Sequence, residues 1–393
     1  MKYIVALLMF LYLYALTYGV FMTEIFRLPA PVLFGIPLIT LFRIKAKGFA
    51  YTKELLVLLI SVFFYYVIGL QELKSFTSYA IGILMCSLYF NNFIGSSNLR
   101  FQSSIYIFYG LLSFSAIVMV MDHFYPGTKQ IRELIMDEKV IQSPSGIAVY
   151  QFTFGYQLAA LVPFLFIYTI LFHKHILSKT IAFLVCLVFL YLGMQRSAFV
   201  GFICCVSVFM LIYYRYKAVI ILFLGIITAT AFYAAVLKDS TDDANNILTK
   251  NINNDEEFNR SGLMLENLNI YSEYPLGLIF YGKNWGDVIY RNPVFSSGIT
   301  SHNAYLMFIT YLGPFIGFIL LCIIYGKVLG ISVNVVKEIR KPENALLICL
   351  CFSFMGASIN SLSHNAWLVS ADGPTLFLYF SILHLHRMQN IYN

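Results

Sequence analysis

Apolar runs of roughly 20 residues, broken by short polar connections, recur along the chain from Tyr3 to His386. Runs of that length match the hydrocarbon thickness of a bilayer, and each predicts a spanning helix. The pattern places helices near 3–22, 28–42, 54–70, 76–95, 102–121, 149–172, 176–194, 197–214, 217–237, 303–328, 344–363 and 371–386, about twelve in all. Two of them also fit a re-entrant or tilted segment: 28–42 holds Pro29, Pro31 and Pro37, and 371–386 is short. The first run ends in Thr23 and Glu24 without a small-residue cleavage pattern, so it reads as a retained span.

The connections carry the orientation. With the N-terminus inside, the even-numbered ones hold Arg43, Lys45, Lys47 and Lys53, then Arg100, then His173, Lys174 and Lys179, then Arg215 and Lys217, then Lys337, Arg340 and Lys341. The odd-numbered ones are balanced or acidic, including the stretch from Asp122 to Gly146 and the long segment 238–302 with Asp239, Asp242, Asp243, Asp255, Glu256 and Glu257. The positive-inside rule then puts both termini in the cytoplasm and the long loop outside. Within that loop, 261–273 has near-helical apolar spacing and suits a short helix lying on the membrane surface over the outer mouth.

Composition agrees with lipid as the solvent: 60% of the 393 residues are hydrophobic and 11% charged, against about 25% charged in soluble domains. The expectation is one all-α polytopic membrane domain over 1–393, interrupted only by the loop at 238–302. The net charge of +7 is accounted for by the basic connections, so no nucleic-acid partner is implied. All seven cysteines fall in apolar runs, where no disulfide is expected. No His-Glu-x-x-His, Cys-x-x-Cys, Walker loop or Gly-x-Gly-x-x-Gly is present, and neither a metal nor a nucleotide cofactor is predicted.

Arg196 stands between two apolar runs in Leu192-Gly193-Met194-Gln195-Arg196-Ser197, at the outer face. A guanidinium there costs a few kcal/mol, so it faces a polar cavity, binds an anion or snorkels to the headgroups. Arg260 opens Arg260-Ser261-Gly262-Leu263, upstream of Pro275-Leu276-Gly277. His302 leads the tenth span in Ser301-His302-Asn303-Ala304-Tyr305-Leu306, where a helix N-terminus favours the neutral imidazole; a structural histidine fits the same position. The outer competitors are His123 and His364, the latter in a second Ser-His-Asn-Ala at 363–366 that reads as chance repetition. Tyr281, Trp285 and Tyr290 suit either sugar stacking or an interfacial aromatic belt.

The Arg196-Ser197 pair at a helix end, Arg260 followed by Pro275-Leu276-Gly277, and His302-Asn303-x-Tyr305-Leu306 entering a helix that reaches Gly313-Pro314-Phe315-Ile316-Gly317 resemble the O-antigen polymerase and O-antigen ligase superfamily, over roughly 190–320. The resemblance implies a GT-C-like glycosyltransferase of the bacterial inner membrane. Its donor and acceptor would be oligosaccharides on undecaprenyl pyrophosphate at the periplasmic face, with no metal or nucleotide sugar, and with room for a chain-length regulator as a further partner. Under it, Arg196 and Arg260 hold the pyrophosphate, His302 takes the acceptor proton, and Asn303, Tyr305, Tyr281 and Trp285 join in substrate binding. The chain departs from the pattern where the glycine after Pro275-Leu276-Gly277 is displaced to Gly282. Polymerase is favoured over ligase because the chain is rich in Phe, Tyr, Ile and Asn and its motifs are degenerate; a lipid-linked-sugar flippase is the alternative of another class, disfavoured by nearly uncharged midplanes.

Overall fold

The computed structural model describes residues 2–19, 30–44, 48–125, 127–136, 138–232, 260–291 and 301–392. Among them regular structure is helical, with no strand. The elements are α1 (Lys2–Tyr18), α2 (Ala30–Thr40), α3 (Thr52–Val62), α4 (Leu73–Leu88), α5 (Asn98–Phe124), α6 (Thr128–Met136), α7 (Gln151–Phe172) and α8 (Ile176–Leu192). There follow α9 (Arg196–Tyr214), α10 (Tyr216–Phe232), α11 (Arg260–Glu273), α12 (Trp285–Val288), α13 (Ala304–Leu312), α14 (Ile319–Lys337), α15 (Ala345–Asn360) and α16 (Gly373–Tyr392).

Seven helical segments among the described residues are long and apolar enough to cross a membrane: Thr52–Gly69, Leu73–Ile94, Asn98–Phe124, Gln151–Phe172, Arg196–Tyr214, Ala304–Lys337 and Pro342–Ser363. Lys2–Tyr18, Pro31–Thr40 and Ile176–Leu192 are apolar but shorter. This is the build of a polytopic helical membrane protein. Three segments widen into π-helix, at Phe63–Gly69, Tyr89–Ile94 and Gly313–Phe318. The last has a plain cause: Pro314 has no N–H to donate and its ring crowds the preceding turn, so the helix that begins at Ala304 changes winding before α14.

The chain divides into two compact units. One comprises residues 1–114, 255–331 and 360–393; the other comprises 115–254 and 332–359. The first is knitted by close backbone approach and aromatic packing. A Cβ on Gly373 would lie 1.7 Å from the Leu16 carbonyl oxygen, so α16 can start only where it abuts α1 without a side chain. Phe108 and Phe377 stack at 4.1 Å, Tyr12 and Tyr89 at 4.5 Å, and the Tyr18 hydroxyl donates to the Leu111 carbonyl at 2.6 Å. Glu54 pairs with Lys327.

The second unit is built on α7. Its Ala159 and Pro163 meet Gly356 of α15, where a Cβ would lie 2.6 Å from the Ala159 carbonyl oxygen, and Ser353 donates to the carbonyl of Ala160. Small residues at such crossings let helices approach where lipid supplies no hydrophobic drive. The connection expected between Asp122 and Gly146 is partly helical: it contains α6, and beyond it, after an exposed stretch at 141–143, residues 144–148 turn inward, with Ser145, Ile147 and Ala148 completely or nearly buried. Irregular backbone at that depth must be satisfied by protein. Ser115 accepts the Ile147 amide at 2.8 Å, Gln157 donates to the Ile147 carbonyl at 2.9 Å, and Arg132 donates to Ser145 at 2.8 Å.

Candidate functional site

Three of the four motif segments on which the resemblance rests belong to the first unit, two of them in direct contact at one end of α13 and the third at its other end. Gly277, at φ 100, and Gly313, at φ 73, meet backbone to backbone. A Cβ on Gly277 would lie 2.3 Å from the Gly313 nitrogen, and one on Gly313 would lie 1.8 Å from the Leu276 carbonyl oxygen. Pro275-Leu276-Gly277 is therefore docked on the Gly313-Pro314 turn, and both positions require glycine twice over, for conformation and for space.

His302 does not open a helix. Asn303 is the N-cap of α13: its side-chain oxygen accepts the Leu306 amide at 3.0 Å, the job for which asparagine is favoured. The histidine is displaced to the position before the cap, half-buried, with a left-handed φ of 51. Left-handed conformation is costly for a residue with a Cβ and is concentrated at sites where the surrounding structure enforces it.

The second Ser-His-Asn-Ala is no isolated coincidence in space. The Ala304 amide donates to the His364 carbonyl at 2.9 Å, which sets the two tetrapeptides side by side. Each is followed by an aromatic residue, and the rings of Tyr305 and Trp367 meet edge to face at 5.2 Å. Trp367 also packs on Phe308 at 5.0 Å, while Tyr305 shares a 2.8 Å hydroxyl contact with Tyr325. His364 is 3% exposed, against the half-buried His302. The sequence reading missed Trp367, although the extended repeat Ser-His-Asn-Ala-aromatic was the signal for it.

The helix expected over 261–273 forms as α11, and one stripe of it packs on protein while Met264, Leu265 and Leu268 stay exposed. Leu263, Asn267 and Ile270 are buried. Asn267 donates to Ser301 at 3.0 Å and accepts from Thr310 of α13, a buried polar tie that fixes the entry to the His302 turn. Arg260 is the first residue of α11; its side chain lies outside the described residues, as do 238–259 and 292–300 of the long loop. Trp285 is buried and tilted against Tyr311 at 6.3 Å, so its ring faces protein there. Tyr281 is 41% exposed, packs on Tyr274 and keeps an open face for a ligand.

Arg196 belongs to the second unit, as the first residue of α9, half-buried. The turn before it is tight: Met194 has φ 53, and a Cβ on Gly193 would come within 2.9 Å of Leu158. His123 anchors that turn, its Nε2 donating to the Leu192 carbonyl at 3.0 Å, which gives this histidine a structural task. The N-cap is Gln195, 3% exposed, whose side chain makes no capping bond and whose buried Nε2 has no hydrogen-bond partner among the described residues. A helix N-terminus, an arginine and an uncommitted amide donor form an environment suited to a negatively charged oxygen.

Among the described residues no three His, Cys, Asp or Glu side chains group to hold a metal ion, and all seven cysteines are free. No family model matches the chain, and no curated protein matches it.

Proposed function

We propose that the protein is a surface-polysaccharide polymerase of the O-antigen polymerase and ligase type, joining repeat units carried on undecaprenyl pyrophosphate. The observation that carries this reading is the docking of Pro275-Leu276-Gly277 on Gly313-Pro314 at the C-terminal end of α13, the helix whose N-terminal end carries the strained His302 turn: segments singled out together by the resemblance are organised along one helix in one unit. The fold belonging to this reading is a GT-C-like arrangement of about twelve spans, some tilted or short. The N- and C-termini are cytoplasmic, the loop 238–302 is periplasmic, and the membrane is the bacterial inner membrane.

The reaction is one displacement. An acceptor sugar hydroxyl loses its proton to His302 as its oxygen bonds to the anomeric carbon of the donor glycan. The bond from that carbon to the pyrophosphate oxygen breaks, and undecaprenyl pyrophosphate leaves with the electron pair. The resemblance assigns Arg196 and Arg260 to the charge arriving on phosphate oxygens, a task for which the guanidinium fork is suited. Asn303 holds the histidine turn through the cap, and the resemblance assigns Asn303, Tyr305, Tyr281 and Trp285 to substrate binding. Inversion at the anomeric carbon follows from a single attack.

The test is the surface-glycan ladder of a strain lacking the protein, complemented by wild type, Arg196→Ala, Arg260→Ala or His302→Ala at matched expression. A single repeat unit on the lipid core in the deletion and all three variants is the expected result. A bare core with lipid-linked polymer accumulating would instead make the protein a ligase, and normal ladders from all three variants would remove the catalytic assignment. Orientation is read separately by impermeant thiol labelling of Asn253→Cys and Lys45→Cys, with only the first expected to react from outside.

A further inference from the structure

The second unit holds a cavity of about 480 Å³ far along the chain from the residues discussed so far, formed where the C-terminal ends of α9 and α14 come level. Its polar lining is almost entirely cationic: Arg215, Lys337, Arg340 and Lys341, with Glu338 as the one carboxylate. The rest is aliphatic, including Ile212, Val333 and Val336. Both helices belong to segments long and apolar enough to cross a membrane, and both end here. The cavity therefore sits at a water boundary of the hydrocarbon, with an apolar wall on one side and a basic rim on the other.

The cations are not equivalent. Arg340 donates to the Tyr213 carbonyl at 3.0 Å, satisfying one of the orphan acceptors at the end of α9 and holding the two chain segments in register. Lys341 pairs with Glu338 at 2.7 Å, an exposed ion pair of small worth that exchanges readily for another anion. Lys337 is exposed at the last turn of α14. Arg215 is the C-cap of α9 with φ 55 and ψ −131, a conformation glycine takes freely and arginine does not. The chain accepts that strain at a position that carries a guanidinium to the rim of the cavity.

We infer that this cavity binds the headgroup of an anionic phospholipid, its phosphate held by Arg215, Lys337 and Lys341 and its acyl chains lying along Val333, Val336 and Ile212. A water-soluble anion would use the rim alone; a lipid uses the rim and the apolar wall together, which is why the lipid is the occupant of choice. The site is independent of the glycosyltransferase reading, since none of its residues takes part in that chemistry.

The experiment is native mass spectrometry of the full chain in detergent, titrated with phosphatidylglycerol, with phosphatidylethanolamine, or with phosphatidylglycerol in the presence of inorganic phosphate. Wild type is expected to retain phosphatidylglycerol in preference to phosphatidylethanolamine, and phosphate is expected to leave that binding unchanged. Lys337→Gln with Lys341→Gln is expected to weaken retention about thirtyfold, given the contribution of each basic side chain near an anionic headgroup. Lys337→Arg with Lys341→Arg should restore it, and Lys174→Gln with Lys179→Gln, an equal loss of charge elsewhere, should leave it as in wild type. Equal retention of the two lipids, an equal loss in the Lys174 and Lys179 pair, or displacement of phosphatidylglycerol by phosphate would overturn the assignment.

Discussion

The Ala304 amide and the His364 carbonyl are 2.9 Å apart, so two copies of one tetrapeptide, 62 positions apart in sequence, share a hydrogen bond. The two histidines thereby fall into different environments: His364 is buried, and His302 is half-buried in a strained turn. His302→Ala is expected to cut chain extension by about 10²–10⁴ with little change in melting temperature, as removal of a general base does. His364→Ala should lower the melting temperature, and its activity should fall only in proportion to the folded fraction. Purified protein assayed on lipid-linked repeat units, beside a thermal melt in detergent, separates the two; the reverse pattern would transfer the catalytic role to His364.

Gly277 and Gly313 make a sharper structural prediction. An added Cβ at either meets backbone within 2.3 Å, and backbone cannot step aside as a flexible side chain would. Gly313→Ala and Gly277→Ala are each expected to destabilise the first unit by more than about 4 kcal/mol, in the range reserved for severe backbone and packing faults. Gly282→Ala is the comparison, because its φ of 60 carries only the left-handed cost of about 1–2 kcal/mol and nothing lies within 4 Å. Melting temperatures of the three variants in one detergent decide the matter; a Gly313→Ala protein as stable as Gly282→Ala would contradict the backbone docking.

The helical build was legible because lipid imposes one strong rule, long apolar runs, and the runs at 102–121, 149–172 and 197–214 correspond to spans in the structure. What hydropathy could not show was contact between segments. Gly277 and Gly313 were visible as parts of motifs, but their mutual packing depends on a φ pair and a chain reversal that no window average contains. The α11 stripe at Leu263, Asn267 and Ile270 has helical spacing, yet spacing alone does not say that this stripe packs on protein. The sequence reading starts this helix one residue too early, with His302 leading it, since Asn303 is the better cap and takes the position. The inward course of 144–148 was hidden because its surroundings look like an ordinary polar connection.

That inward segment depends on one arginine. Arg132 is fully buried, pairs with Asp122 at 3.0 Å and donates to Ser143, Ser145 and the Gly146 carbonyl. Burial pulls its guanidinium below the usual range, with Asp122 and Glu133 opposing the shift, but an arginine remains charged at neutral pH. Arg132→Ala is expected to cost about 3–5 kcal/mol because it strands the Asp122 carboxylate, which is only 8% exposed. Adding Asp122→Asn to that variant should recover part of the loss, giving a favourable coupling energy in a double-mutant cycle followed by thermal unfolding. Strict additivity of the two changes would show that the pair does not hold the segment.

Gln195 separates stability from function most directly. Its Nε2 is buried without a hydrogen-bond partner among the described residues, and such a donor costs about 1–3 kcal/mol, a penalty a folded protein tolerates where a ligand makes use of it. Replacing it with leucine removes the donor and keeps the volume, so Gln195→Leu is expected to melt at the same or a higher temperature than wild type. If the donor serves a phosphate oxygen beside Arg196, the same variant should extend glycan chains at least tenfold more slowly, the loss expected when one hydrogen bond to a charged group, about 1.5–3 kcal/mol, disappears. Gln195→Glu should be worse still, because it sets a carboxylate against the anion. A Gln195→Leu protein that is both more stable and fully active would show that the amide serves neither the fold nor the reaction.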